Sequence, residues 1–404
     1  MEIRSTTDED LDVFVDAVHA AFGRFPETPA EGGGGLWWSA FEMNRNLVAV
    51  TPEGRPVGTA GAYSFELTLP GEVVVPVAGV TAVGVAPSHR RRGVLSALMR
   101  RQLADVRARG EAISVLLASE AVIYRRFGYG PATFTQKLSV PRRQADFAVP
   151  RAESTDSGTV ELLRRAECGD LLEEVYDAYR RAQPGALSRP HRWWAAKAGQ
   201  PPITAAPRHI AVHRDADGVP DGYASYAVGD PDNTLTVDEV IAADDAVFTA
   251  LARFVLGHDL VTEVVFKHVP PGHPLRWQLT DLRACRLKDE TDWLWVRLLD
   301  VPRALATRGW FADGELVLDV DDPFLGERGR HLLTVRDGKA ECVPTDREPD
   351  LSLDVSDLGS VYLGGTPPST LVRAGHVRAH HTDAAARADA LFRTERVPHC
   401  VHWF

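Results

Sequence analysis

Residues 80–103, VTAVGVAPSHRRRGVLSALMRRQL, constrain what this chain can fold into more than any other stretch. A valine-rich run suited to a central strand stops at Pro87, and three arginines and Gly93 follow. Leu95, Leu98, Met99, Leu103 and Val106 then recur at helical spacing, so the segment reads as strand, tight turn and amphipathic helix. Such a turn lays consecutive backbone N–H groups over the unpaired donors of a helix N-terminus, where the helix dipole also favours an anion. Gly93 permits close backbone approach, and Arg91 and Arg92 add fixed positive charge, which suits a pyrophosphate. Neither GK[ST] nor GxGxxG is present, so this is neither a P-loop nor a dinucleotide fingerprint.

Composition sets the rest of the frame. With 404 residues, 44% hydrophobic and 25% charged, the chain has the make-up of a soluble globular protein with two or three domains at roughly 150 residues each. A net charge of −11 argues against a generally basic nucleic-acid binder. No apolar run reaches the ~18 residues of a membrane span, and the acidic start MEIRSTTDED is unlike a signal peptide. A cytoplasmic location without integral membrane association is therefore expected, with secretion left open. Cys168, Cys285, Cys342 and Cys400 form no CxxC pair and read as buried free thiols, and no metal site is expected. The charge is uneven: residues 86–126 carry nine arginines against three acids, whereas 311–363 carry 13 acidic and 5 basic side chains.

The coarse pattern divides the chain into an α/β first region (1–150), a second region (151–297) that repeats its order without the arginine motif, and an α+β third region (298–404). The hydrophobic pattern lapses around 141–157, which places the first boundary there. The loop EGGGGLWW reads as flexible, with its Trp37-Trp38 pair either a core plug or an aromatic lid.

Two blocks carry a family resemblance. Arg90 and Gly93 stand in register with the (Q/R)xxGx(G/A) signature of the GNAT acyltransferases, with Leu95 where a third small residue is usual. HRRRGVLSALM together with ASEAVIYRRFGYGPAT (118–133) resembles one branch, the enhanced intracellular survival (Eis) type N-acetyltransferases, in which leucine there is normal. The resemblance implies tandem GNAT folds followed by a sterol-carrier-like domain, acetyl-CoA as cosubstrate, and a homohexamer. By position it implies that Val83, Gly84 and Val85 meet the pantetheine arm. Arg91, Arg92, Gly93, Val94, Leu95 and Ser96 would hold the pyrophosphate, with Ser119 and Glu120 lining the cofactor. Tyr124 would be the general acid and the carboxylate of Phe404 the general base.

The chemistry is compatible with those roles. A tyrosine with pKa near 10 can donate to a departing thiolate with pKa near 8.5 once both are desolvated, although such a residue also serves as ordinary packing. The terminus PHCVHWF is aromatic enough to dock, while His399 and His402 compete as bases or act as packing. The acceptor is expected to be a polycationic amine or a lysine side chain drawn by carboxylates. Glu27, Glu31, Asp289, Glu290 and Asp292 are the acidic candidates, with Trp37 and Trp403 as aromatic ones. A non-catalytic acyl-CoA or lipid carrier is the competing reading.

Overall fold

The computed structural model describes residues 1–23, 40–150, 158–195, 208–229 and 232–404. Expectations placed on Glu27, Glu31, Trp37 and Trp38 lie outside the described residues. The chain enters a first sheet as β1 (Glu2–Ser5), β2 (Leu47–Val50), β3 (Pro56–Leu69), β4 (Val73–Val85), β5 (Ile113–Leu117) and β6 (Gly130–Pro131). It leaves for a second sheet as β7 (Phe134–Pro141), β8 (Thr159–Arg164), β9 (His209–Arg214), β10 (Pro220–Gly229), β11 (Thr234–Ala242), β12 (Glu263–Val269) and β13 (Arg286–Asp292). It then returns as β14 (Leu294–Leu298). The helices that matter for the sites are α1 (Leu11–Ala21), α2 (Val94–Ala108), α3 (Ala121–Tyr124), α4 (Leu171–Ala182), α5 (His191–Ala195) and α6 (Asp245–Leu256).

The two sheets have matching orders, β1-β2-β3-β4-β5-β14-β6 and β8-β9-β10-β11-β12-β7-β13, and each takes its sixth strand from across the expected boundary. A division at 150 therefore cuts the chain but not the sheets. Strand β7, at 134–141, pairs with β12 and β13, while β14 pairs with β5 and β6. Period-2 patterning shows that these segments are strands but is silent about their partners, because every strand offers the same backbone donors and acceptors.

The third region is a five-stranded sheet with the order β17 (Lys339–Pro344), β16 (Glu327–Arg336), β15 (Gly314–Asp322), β18 (Leu351–Asp354) and β19 (Arg378–Ala379). Its helix Val355–Tyr362 is buried at every residue and packs on β14, so one hydrophobic cluster runs from the first sheet into the third region. A helix covered on all sides lies between layers, and each large apolar side chain it buries contributes about 1.5–3 kcal/mol, while its Asp357 is buried against Arg125.

Much of the acidic segment is paired. Asp322 binds buried Arg297 of β14, Glu327 binds Arg107 of α2 at 2.6 Å, and Asp357 binds Arg125 beyond α3. Arg107 and Arg125 belong to the arginine-rich segment, so part of the charge imbalance read from the sequence serves to dock the third region onto the first. All four cysteines are free and buried. No helix among the described residues is long and apolar enough to cross a membrane.

Candidate active site

Strands β4 and β5 pair in parallel only at Ala78↔Ser114, Gly79↔Val115 and Val80↔Leu116, and then part. Strand β4 runs on to Val85, leaving a wedge-shaped cleft between the two. A bulge sets residues 82 and 83 against the single residue Ala60, with Ala82 at φ 49°. The Thr59 hydroxyl donates to the Ala82 carbonyl at 2.8 Å, while the Val83 backbone stays outside the ladder on the edge that β5 has left. An extended ligand arm entering the cleft can pair there as a further strand would.

Beyond β4 lies the turn in which the sequence places a cradle. Arg91 and Gly93 take left-handed conformations, at φ 61° and 79°, and Gly93 is the N-cap of α2. The first helical bond runs from the Ala97 N–H to the Gly93 carbonyl at 3.0 Å, so the N–H groups of Val94, Leu95 and Ser96 have no intrahelical acceptor. Alternating backbone handedness over an open helix N-terminus is an anion-binding concavity. Arg91, Arg92 and Ser96 are exposed around it, whereas Val94 is core and Leu95 is half-buried, so those two offer backbone rather than side chain. Gly84 lies against α1, since a Cβ there would come within 2.5 Å of the Ala21 Cβ. Arg90 acts as a clamp, donating to the Val85 carbonyl at 3.3 Å and the Ala21 carbonyl at 2.9 Å. These groups fit a CoA pyrophosphate and pantetheine arm in charge, donors and access.

On the β5 side, Ser119 and Glu120 are exposed and lead into α3, whose last residue, Tyr124, is buried. Tyr124 shares a cluster with Ala78, Val80 and Leu116 and meets Tyr129 edge-on at 6.3 Å, and the Tyr129 hydroxyl is fixed by Ser114 Oγ at 2.8 Å. Burial raises the Tyr124 pKa above its usual 10; a hydrogen bond with Ser119 opposes the rise and the Glu120 charge adds to it. The phenol therefore stays protonated at neutral pH and can donate. The Arg125–Asp357 pair holds the following turn to the third region.

The opposite face of the same strands receives the chain end. A Cβ on Gly79 would lie 3.1 Å from the Phe404 ring, and Phe404 meets Phe65 edge-on at 5.0 Å. Because neighbouring strand residues face opposite ways, Phe404 over Gly79 and Tyr124 beside Val80 flank the parting of β4 and β5 from its two faces. The tail is tied down: the His399 N–H donates to the Pro184 carbonyl at 2.8 Å, Gln183 to the Val397 carbonyl at 2.8 Å, and Trp293 to the His402 carbonyl at 3.3 Å.

His402 sits among Phe65, Trp193 and Phe404, and burial pushes its pKa well down. His399 is pushed down to about 3 for the same reason. Both are buried neutral rings that resist protonation, which corrects their reading as competing bases.

The other acidic candidates differ in their engagement. Asp292 accepts the Trp295 indole N–H at 2.5 Å, which occupies one of its carboxylate oxygens. Glu290 accepts from Gln136 at 2.6 Å, and Asp289 is exposed. Trp403 is partly exposed beside the docked end. Sequence reading missed Gly79, Phe65 and Trp193 as the floor of the tail; a glycine inside a valine strand was the available signal. The one group of donors close enough to share a metal ion among the described residues is Asp170, Glu173 and His191, outside this cleft and mostly exposed.

The comparisons with known proteins agree with this fold. Residues 2–132 and 185–298 each match a family described as an acetyltransferase (GNAT) domain, and 301–401 match a sterol carrier protein domain. Over 358 residues the chain is 38% identical to the N-acetyltransferase Eis of Mycobacterium tuberculosis, covering 85% of each. It is 35% identical, over the full length of both, to an uncharacterized N-acetyltransferase of Streptomyces griseus. The crystal structure of Eis1 from Mycobacterium abscessus aligns over all of both chains with a TM-score of 0.88 at 35% identity.

Proposed function

The chain belongs to the Eis-type N-acetyltransferases of the GNAT superfamily, and from that premise we propose that it moves the acetyl group of acetyl-CoA onto a primary amine of a polycationic substrate. Polyamines, aminoglycosides and lysine side chains are the acceptor classes considered. Membership of an acetyltransferase family sets aside the non-catalytic carrier reading.

In this proposal the acetyl thioester lies where β4 and β5 part, with the pantetheine arm along the Val83–Val85 edge and the pyrophosphate on the Arg91–Ser96 cradle. Attack by the neutral amine forms the N–C bond and breaks the C–S bond. The Phe404 carboxylate takes the proton lost by the nitrogen, directly or through one water, and Tyr124 gives its proton to the departing sulfur. Exchange of both protons with solvent restores the site. The observation that supports this reading is the placement of Tyr124 and Phe404 on opposite faces of one cleft, beside an anion cradle. Burial of Tyr124 suits an acid that must hold its proton until sulfur leaves. A cytoplasmic homohexamer is the expected state, and sedimentation giving a stable monomer contradicts the assembly.

Tyr124→Phe tests the mechanism. Turnover on spermidine, measured by thiol release, should fall roughly 10²-fold or more while CoA affinity stays within twofold of wild type. Wild-type protein that releases no CoA thiol with spermidine, an aminoglycoside or a lysine peptide overturns the activity.

A further inference from the structure

The second sheet repeats the parting of strands but changes its chemistry. Strands β11 and β12 pair in parallel from Thr234↔Glu263 to Val237↔Phe266 and then diverge, with α6 between them in the chain, as α2 lies between β4 and β5. A cavity of about 610 Å³ occupies the equivalent position, bounded by the end of β11, the start of α6, the 270–274 turn and tail residues 395–399.

The helix end that could hold an anion is already occupied. The N-terminus of α6 is closed by the Asp244 carboxylate, which accepts from the Ala246 and Val247 N–H groups at 2.8 and 2.9 Å. Asp245 and Glu395 add two exposed carboxylates at the rim, and the one guanidinium there, Arg396, donates to the Ala243 carbonyl at 3.3 Å.

Deeper in, the walls are neutral and partly polar. His399 lines the cavity, is only 4% exposed, and has an Nε2 with no hydrogen-bond partner. His273 accepts the Leu275 N–H on Nδ1 at 3.2 Å, so its proton sits on Nε2. Burial pushes His268 and His273 down to about 4 and His399 to about 3, so at neutral pH these rings are uncharged, and the lone pair of His273 is taken by the Leu275 N–H. Val240, Ala242 and Phe248 supply apolar wall. Among the described residues these histidines are not among donors close enough to share a metal ion. A buried imidazole nitrogen without a partner, below a carboxylate rim and between apolar walls, can as the Nδ1–H tautomer accept from an N–H-bearing cation on a hydrocarbon chain.

We propose that this second cleft binds an aliphatic polyamine as a ligand rather than as an acetyl acceptor, with the ammonium groups on Asp245, Glu395 and the His399 ring. Because His399 lies five residues before Phe404 on a continuous docked segment, occupancy also steadies the tail that reaches the first cleft. The proposal does not rest on acetyl transfer.

The test uses full-length protein and N,N,N′,N′-tetramethyl-1,6-hexanediamine, a dication that keeps one N–H on each protonated nitrogen but forms no stable amide. Calorimetric titration at neutral pH should show a site whose affinity falls about tenfold in Asp245→Asn/Glu395→Gln, since both exposed charges that hold the ammonium groups are removed. Both substituted residues are exposed, so the fold is not at stake. Hydrogen exchange at 395–399 should slow with the probe in wild type and not in the double variant. Equal affinity in the double variant, no binding at millimolar probe, or protection of 395–399 by CoA or by zinc alone overturns the proposal. Tyr124→Phe should bind the probe like wild type, so a failure of the acetyl-transfer reading and a failure of this one are distinguishable.

Discussion

The two clefts are built from the same order of strand, helix and strand, yet they suit opposite charges. In the first, residues 86–93 separate the end of β4 from α2, enough chain for two left-handed residues, two exposed arginines and an open helix N-terminus. In the second, only Ala243 and Asp244 separate β11 from α6, and Asp244 fills the helix N-terminus with its own carboxylate. The backbone topology supplies a gap in both cases. The length and composition of the strand-to-helix connection decide what enters it, as expected where function sits on loops held by a rigid scaffold.

The most severe way to probe this difference is through the tail that touches both clefts. One alanine appended after Phe404 moves the carboxylate off its docked position, and turnover should drop about 10³-fold with the diamine probe still bound in the second cleft. An active enzyme with a C-terminal tag contradicts the role given to Phe404. Next, Arg91→Glu/Arg92→Glu should weaken CoA about 10²-fold by calorimetry, from two charge-assisted contacts of about 1.5 kcal/mol each. Wild type should take one CoA per chain; two per chain would erase the distinction between the clefts.

Acid acts on both clefts through stability, because His402 beside Phe404 is pushed well down by burial as the histidines of the second cleft are. His268 and His273, at about 4, and His399, at about 3, lie below the 6.5 of an unfolded histidine, so their burial costs nothing above that pH. Below it the unfolded chain takes up protons that the folded chain refuses, and stability falls by about 1.4 kcal/mol per pH unit per histidine until the folded values are reached. The calorimetric Tm should therefore decline steadily from pH 6.5 to 4, and a flat Tm over that range contradicts the buried neutral rings. Tyr124, shifted upward, titrates on the alkaline side and contributes nothing in this window. The smallest effect belongs to Trp403→Glu: a partly exposed carboxylate beside the docked end should lower KM for spermidine about two- to fivefold, and less at high salt.

Parts of this were legible before any coordinates. The cradle at Arg91–Ser96 could be read because a strand, a left-handed glycine and a helical repeat are local, and the aromatic terminus announced its own docking. Other parts were hidden. The exchange of β7 and β14 was not readable, since strand patterning names no partner, and it moves the sheet boundary away from residue 150. The excess of acids over 311–363 named no partners, whereas Asp322, Glu327 and Asp357 are committed to Arg297, Arg107 and Arg125. For His399 and His402 the sequence leaves base and packing both open, and burial makes them packed neutral rings.

By itself the sequence determined the main elements, the strand-turn-helix at 80–103 and the family, because backbone handedness, helix capping and hydrophobic period act over a few residues. Only the tertiary structure decided that Tyr124 and Phe404 flank one cleft from two faces, that the sheets exchange strands, and that a second cleft faces the tail. Those outcomes depend on contacts between residues hundreds of positions apart and on desolvation, which no short window of sequence carries.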